Sequence, residues 1–99
     1  MGYKYSYVYI LTDDKNDKLY IGVTSDLINR IFQHKQDLVD GYSKKYQTHK
    51  LVYYQEFLDI ESAIQREKQL KGRTRIRKVK LIELYNPNWD DLFDKITGE

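Results

Sequence analysis

Leu19-Tyr-Ile-Gly-Val-Thr-Ser-Asp-Leu-Ile-Asn-Arg-Ile-Phe-Gln-His34 is the stretch from which the rest of the chain can be placed. A β-rich run, Leu19 to Val23, stops at Thr24-Ser25-Asp26, whose short oxygen-bearing side chains suit a helix start, and apolar residues at helical spacing begin at Leu27. The expected order is strand, cap, helix. The helix is predicted from about Asp26 to Val39, with an apolar stripe of Leu27, Ile28, Ile31, Phe32 and Leu38. Arg30 and His34 lie four residues apart and so share a face at the flank of that stripe. A cation and an imidazole therefore stand beside the core, close to the Tyr20 that the strand delivers.

Upstream, Tyr3 to Thr12 alternates as a strand does: Tyr5, Tyr7, Tyr9 and Leu11 point one way, Ser6, Val8, Ile10 and Thr12 the other. The polar Asp13 to Lys18 joins it to Leu19–Val23 as a hairpin with a long loop. If the aliphatic faces of both strands meet one core, Tyr9 and Tyr20 share the opposite face, and Gly22 leaves an open place beside them. Downstream, Asp40-Gly41-Tyr42-Ser43 reads as a stop, followed by a polar connection with Lys44, Lys45, Tyr46 and Lys50. Leu51 to Phe57 is a third strand, enough for a credible sheet. A second long helix opens at Asp59 or Glu61-Ser62 with Ile60, Ala63, Ile64 and Leu70 at helical spacing, and Gly72 closes it. Arg75 to Tyr85 forms the next, offering Val79, Ile82 and Tyr85 to the core. Asn86-Pro87 ends it, and Trp89, Leu92, Phe93 and Ile96 fold back in a short last helix.

Glu67 interrupts the apolar stripe of its helix, three residues from Ile64 and three from Leu70. A buried carboxylate without a partner costs several kcal/mol, so a cation, a metal or strong donors must meet it.

Ninety-nine residues bound the chain to one domain, 1–99, and 40% hydrophobic with 14% aromatic residues are too much for disorder. There is no cysteine, which excludes disulfides and thiolate zinc sites, and two histidines make a multi-histidine metal centre a poor expectation. With no apolar run of signal-peptide or membrane-span length, a cytoplasmic protein with no membrane partner is expected. The net charge is only +2, but Arg66, Lys68, Lys71, Arg73, Arg75, Arg77, Lys78 and Lys80 face a single acid, Glu67, across Arg66–Lys80. Such a block is either a solvated helix face or a surface that meets phosphate. Glycine-rich phosphate loops, nucleophile elbows and paired-histidine zinc helices are all missing.

The sequence resembles the GIY-YIG nuclease family. Tyr7-Val8-Tyr9 stands where the first triad belongs, with Tyr7 in place of its glycine, and Tyr20-Ile21-Gly22 is the second triad intact. Thr24, Leu27, Arg30 and His34 follow at the family's intervals, and Glu67 corresponds to its metal-binding glutamate. The order holds over roughly residues 5 to 90, and small single-domain members similar to the nuclease domain of the excinuclease C subunit look nearest, down to the Asn86-Pro87-x-Trp89 ending.

The resemblance implies an α/β fold: a small three-stranded, mainly antiparallel sheet flanked by helices, its site built by the tyrosine-bearing face with the first and second long helices. It also implies a metal-dependent endonuclease that cuts DNA, in repair or mobile-element processing. Because the chain offers little area for reading sequence, single-stranded or branched DNA is the expected partner, with RNA left open. Glu67 would hold one Mg²⁺ or Mn²⁺, a metal content suited to magnesium's sparing use of protein ligands. Arg30 would grip the non-bridging oxygens, and Tyr9, Tyr20 or His34 would take the proton of the attacking water. Lys44, Lys45, Lys71, Arg73, Arg75 and Arg77 are the candidate nucleic-acid contacts. Plainer readings exist for each residue: tyrosines as packing, His34 as a satisfied boundary histidine, and Arg30 paired with Glu67 in a buried salt bridge. At the level of function, the alternatives are a nucleic-acid binding module that does not cut and a protein-interaction domain.

Overall fold

A computed structural model describes residues 5–98; Tyr3 and Lys4, placed above in the first strand, lie outside them. Strands β1 (Ser6–Thr12), β2 (Leu19–Thr24) and β3 (Lys50–Phe57) form one antiparallel sheet in the order β2-β1-β3. The helices are α1 (Leu27–Lys35), α2 (Tyr42–Tyr46), α3 (Ile60–Lys71), α4 (Arg75–Tyr85) and α5 (Phe93–Thr97). In β1 the alternation holds, and Tyr9 pairs with Gly22 on one side and Tyr54 on the other. The β1–β3 register shifts between Ile10 and Leu11, where Ile10 pairs with Tyr53 but Leu11 with Leu51, leaving Val52 as an extra residue.

Both faces of the sheet are covered. Val8, Ile10, Ile21 and Val52 pack against Ala63 and Leu70 of α3, Ile82 of α4 and Trp89. On the other face Tyr9, Leu11 and Leu51 pack against Leu27 and Ile31 of α1, with Leu92, Phe93 and Ile96 closing over them. The tail thus passes from one face to the other around the outer edge of β3. There Leu92 N–H donates to Leu51 O at 2.8 Å, and Asp91 Oδ1 accepts from Leu51 N–H at 3.2 Å. Asn86 fixes the turn: its buried side chain donates to Val52 O at 3.1 Å and Asp90 O at 2.9 Å, and accepts from Asp90 N–H at 3.1 Å.

Three expectations need correction. Helix α1 ends at Lys35, short of Val39, because a Schellman closure stops it: Leu38 N–H reaches Gln33 O, Asp37 N–H reaches His34 O, and Asp37 takes φ +56°. Its buried face is Leu27, Ile31 and His34, whereas Ile28, Phe32 and Leu38 are exposed. Tyr85 likewise points outward, and Ile82 is the residue that α4 buries.

Candidate active site

The sheet register places Tyr9 directly across from Gly22, and the consequence is steric. A Cβ built on Gly22 would lie 2.4 Å from both Cζ and Oη of Tyr9. The expected open place is therefore filled by the Tyr9 phenol itself, which reaches over the edge strand β2. Its hydroxyl bonds to His34 Nε2 at 2.9 Å, buried between the sheet and α1. His34 Nδ1 meets Ser43 Oγ of α2 at 2.8 Å. Thr48 Oγ1 donates to Ser43 Oγ at 2.7 Å, and Ser43 donates in turn to Thr48 O at 3.4 Å.

This network selects a tautomer. With the Ser43 proton directed to Thr48 O, Ser43 Oγ is an acceptor for His34, so Nδ1 carries the ring proton and the Nε2 lone pair faces the Tyr9 hydroxyl. Burial, then the nearby charges of Arg30 and His49, holds the imidazole far below its ordinary range, at about 4. His34 is thus neutral near pH 7. The Tyr9 phenol is pushed above its usual value, mainly by burial and next by Tyr20, with Arg30 pulling it down and Glu67 pushing it up.

Tyr20 stands beside this pair, its ring centroid 5.1 Å from that of His34 and 6.3 Å from that of Tyr9. Arg30 is half-buried, and among the described residues its guanidinium has no hydrogen-bond or ion-pair partner. The Arg30–Glu67 salt bridge is not formed. Glu67 is instead 3.4 Å from Lys71 one turn along α3, with its side chain 16% exposed. Helix α3 lies on the aliphatic face, opposite α1, so the site is not confined to the tyrosine-bearing face as expected. The charges of Arg30 and Glu67 nevertheless bear on the same phenol in opposite senses, behind burial and Tyr20.

No cluster of three or more His, Asp or Glu side chains capable of holding an ion occurs among the described residues. A half-buried single carboxylate, completed by water and a substrate phosphate, is nevertheless a donor set that Mg²⁺ accepts. Glu67 fits that requirement.

The candidate nucleic-acid contacts divide. Lys44 and Lys45 project from α2, next to the aromatic rings of the site, while Arg73 and Arg77 flank the start of α4. Lys71 is engaged with Glu67, and Arg75 donates to Asn16 O at 3.1 Å, tying α4 to the β1–β2 loop. Ser43, Thr48 and Tyr42 were not singled out from the sequence. They reach the site only because α1 stops early and the chain doubles back through Gly41 at φ +97°.

Residues 5–80 match the GIY-YIG catalytic domain. The chain belongs to the GIY-YIG family. This GIY-YIG domain is similar to a UPF0213 protein of Pediococcus pentosaceus, 35% identical over 77 residues that span 78% of this chain and 80% of that one. A UPF0213 protein of Clostridium perfringens is 38% identical over 77 residues, spanning 78% and 82%. The solution NMR structure of the UPF0213 protein from Bacillus halodurans aligns with a TM-score of 0.57 at 27% identity, covering 91% of this chain and 95% of that one. The GIY-YIG domain is a nuclease fold, and nucleic acid is its general class of substrate. No helix among the described residues is long and apolar enough to cross a membrane.

Proposed function

We propose that this GIY-YIG domain is a divalent-metal-dependent endonuclease that hydrolyses phosphodiester bonds in DNA. The observation that carries the reading is the buried Tyr9–His34 hydrogen bond, formed where an unpaired guanidinium and a half-buried carboxylate act on the same phenol. Hydrolysis requires a nucleophilic water, a group to take its proton and positive charge around the reacting phosphorus. Arg30 donates in a fork to the non-bridging oxygens, as its unpaired state allows. Water, oriented by Tyr9 and Tyr20, gives its proton to Tyr9 Oη as the Tyr9 proton passes to His34 Nε2. The water oxygen bonds to phosphorus, the bond from phosphorus to the departing sugar oxygen breaks, and that oxygen takes a proton from solvent.

Burial is the largest cause of the low basicity of His34 in the free chain, and the Arg30 charge is the next. A bound phosphate offsets the Arg30 charge that helps depress the imidazole, and its own negative charge favours the imidazolium. Glu67 would hold a Mg²⁺ or Mn²⁺ ion, which supplies further positive charge at the phosphate. Lys44, Lys45, Arg73 and Arg77 would contact flanking phosphates.

The test is cleavage of duplex, single-stranded and branched DNA, with RNA in parallel, with and without Mn²⁺ or Mg²⁺. Wild type should cut only with metal, and Glu67→Ala and Arg30→Ala should fold and lose cleavage. Full activity in the Glu67→Ala variant would sink the mechanism. Salt-dependent binding without product at any metal concentration would make the chain a binding module instead.

A further inference from the structure

The rings of the site do not end at Tyr20. Tyr42 follows, with its centroid 6.3 Å from that of Tyr20 and the two planes only 26° apart, and Tyr46 lies 4.6 Å beyond Tyr42. Tyr42 and Tyr46 are one turn apart on α2, so the short helix presents both on one face. The intervening Ser43 points inward and holds His34. Tyr42 is 42% exposed, which makes it the ring of the row most open to solvent. At the far end, Lys18 Nζ and Lys45 Nζ lie 5.1 Å and 5.3 Å from the Tyr46 centroid.

An exposed Tyr42 set between two partly buried rings is a poor arrangement for packing, since it leaves apolar area in water. For a nucleic acid whose bases are unpaired it is a stacking surface, with cations at the edge for the backbone. A base inside a duplex hides both faces and gains nothing from it. We propose that Tyr42, supported by Tyr46, stacks an unpaired base of a DNA strand near the phosphate to be cut, and that Lys18 and Lys45 meet the adjoining phosphates. The inference rests on the nuclease reading above and specifies its substrate: a single-stranded or locally opened segment.

The test uses binding with metal omitted, so it does not depend on cleavage. The probes are a fluorescein-labelled single-stranded 12-mer, the matching duplex, and the single strand with 2-aminopurine at successive positions. Wild type should prefer the single strand, with 2-aminopurine quenched at one position or two neighbouring ones. Tyr42→Ala should weaken single-strand binding about ten- to a hundred-fold and abolish that quenching, with little change for duplex. Tyr42→Phe should restore both, and Tyr42→Leu, which keeps apolar volume but no flat ring, should not. Converting Lys18 and Lys45 to Gln should lower the salt dependence by roughly 0.7 per lysine.

Single-strand affinity unchanged in Tyr42→Ala, equal losses on both DNAs, or rescue by Leu would overturn the inference and leave the nuclease reading standing. A wild-type chain that neither binds nor cuts any of these DNAs would end both.

Discussion

Substituting Gly22 by alanine should damage the proposed chemistry without replacing a reacting group. The backbone at Gly22 is outside the left-handed region, so alanine is conformationally acceptable there. In a strand it should even gain about 0.5–1 kcal/mol over glycine. The obstacle is the added methyl, 2.4 Å from Tyr9 Cζ and Oη and 2.9 Å from Cε2. Ordinary carbon contacts begin near 3.5 Å, so the ring must retreat by about 1 Å. Tyr9 is 2% exposed and packed in one cluster with Leu11, Leu27, Ile31 and Leu51, so a retreat must displace these neighbours. Overpacking of this kind costs about 1–3 kcal/mol, and a retreat that breaks the 2.9 Å bond to His34 adds about 0.5–1.5 kcal/mol. Net destabilisation of about 1–3 kcal/mol should appear in urea unfolding followed by circular dichroism. Cleavage by the folded fraction should fall about 100-fold, as expected when a proton-handling group is misplaced by about 1 Å. A double-mutant cycle identifies the cause: combined with Tyr9→Ala, the Gly22 change should cost nothing further. Wild-type stability and rate in Gly22→Ala, or the same penalty with Tyr9 truncated, would refute the steric argument.

His34 makes stability pH-dependent. Its folded-state value of about 4 lies below the ordinary 6.5, so the unfolded chain binds the proton first as pH falls. The stability present above pH 6.5 should decline towards pH 4 by up to about 3 kcal/mol, and His34→Gln should lack that component in urea titrations across the range. Arg30→Lys keeps the charge but not the planar fork, so cleavage should drop about 10- to 100-fold with stability nearly unchanged. Asn86→Ala removes the clamp between α4, β3 and Asp90, at about 2 kcal/mol in urea unfolding. Its cleavage rate per folded molecule should be retained, because Asn86 acts only on the fold.

The strands were legible because their alternation has a period of two, so the Tyr9–Gly22 and Tyr20 placements follow once the hairpin is recognised. The limits of α4 were legible too. Thr74 accepts from Arg77 N–H at the start, and Asn86-Pro87 ends the helix. Helix α1 was harder, since Leu27–Ile31 and Ile28–Phe32 are both one-turn apolar pairs and only packing decides which faces the sheet. Its end was concealed because an aspartate, not a glycine, takes the left-handed position. That early stop brings α2 back against His34, so the Ser43 and Thr48 partners depend on a turn the local composition did not announce. Glu67 was conspicuous as a charge within an apolar stripe, but not the face of the sheet on which its helix would lie.

That face matters because Arg30 and Glu67 stand on helices packed against opposite sides of the same sheet. Across a central strand, two such groups could not act on one substrate, since backbone and neighbouring strands would fill the space between them. Strand β2 has a partner on one side only, and at Gly22 it carries no side chain to block the way. Tyr9 comes from the central strand, and its phenol lies over that gap with the hydroxyl held on His34. Under the proposed mechanism the edge position and the glycine would serve one requirement: a phosphate approaching from outside β2 would meet the guanidinium from one helix layer and the carboxylate from the other. A bulky residue at 22 would leave the strand order intact and still destroy this convergence, which is why the steric prediction bears on the site more than on the fold.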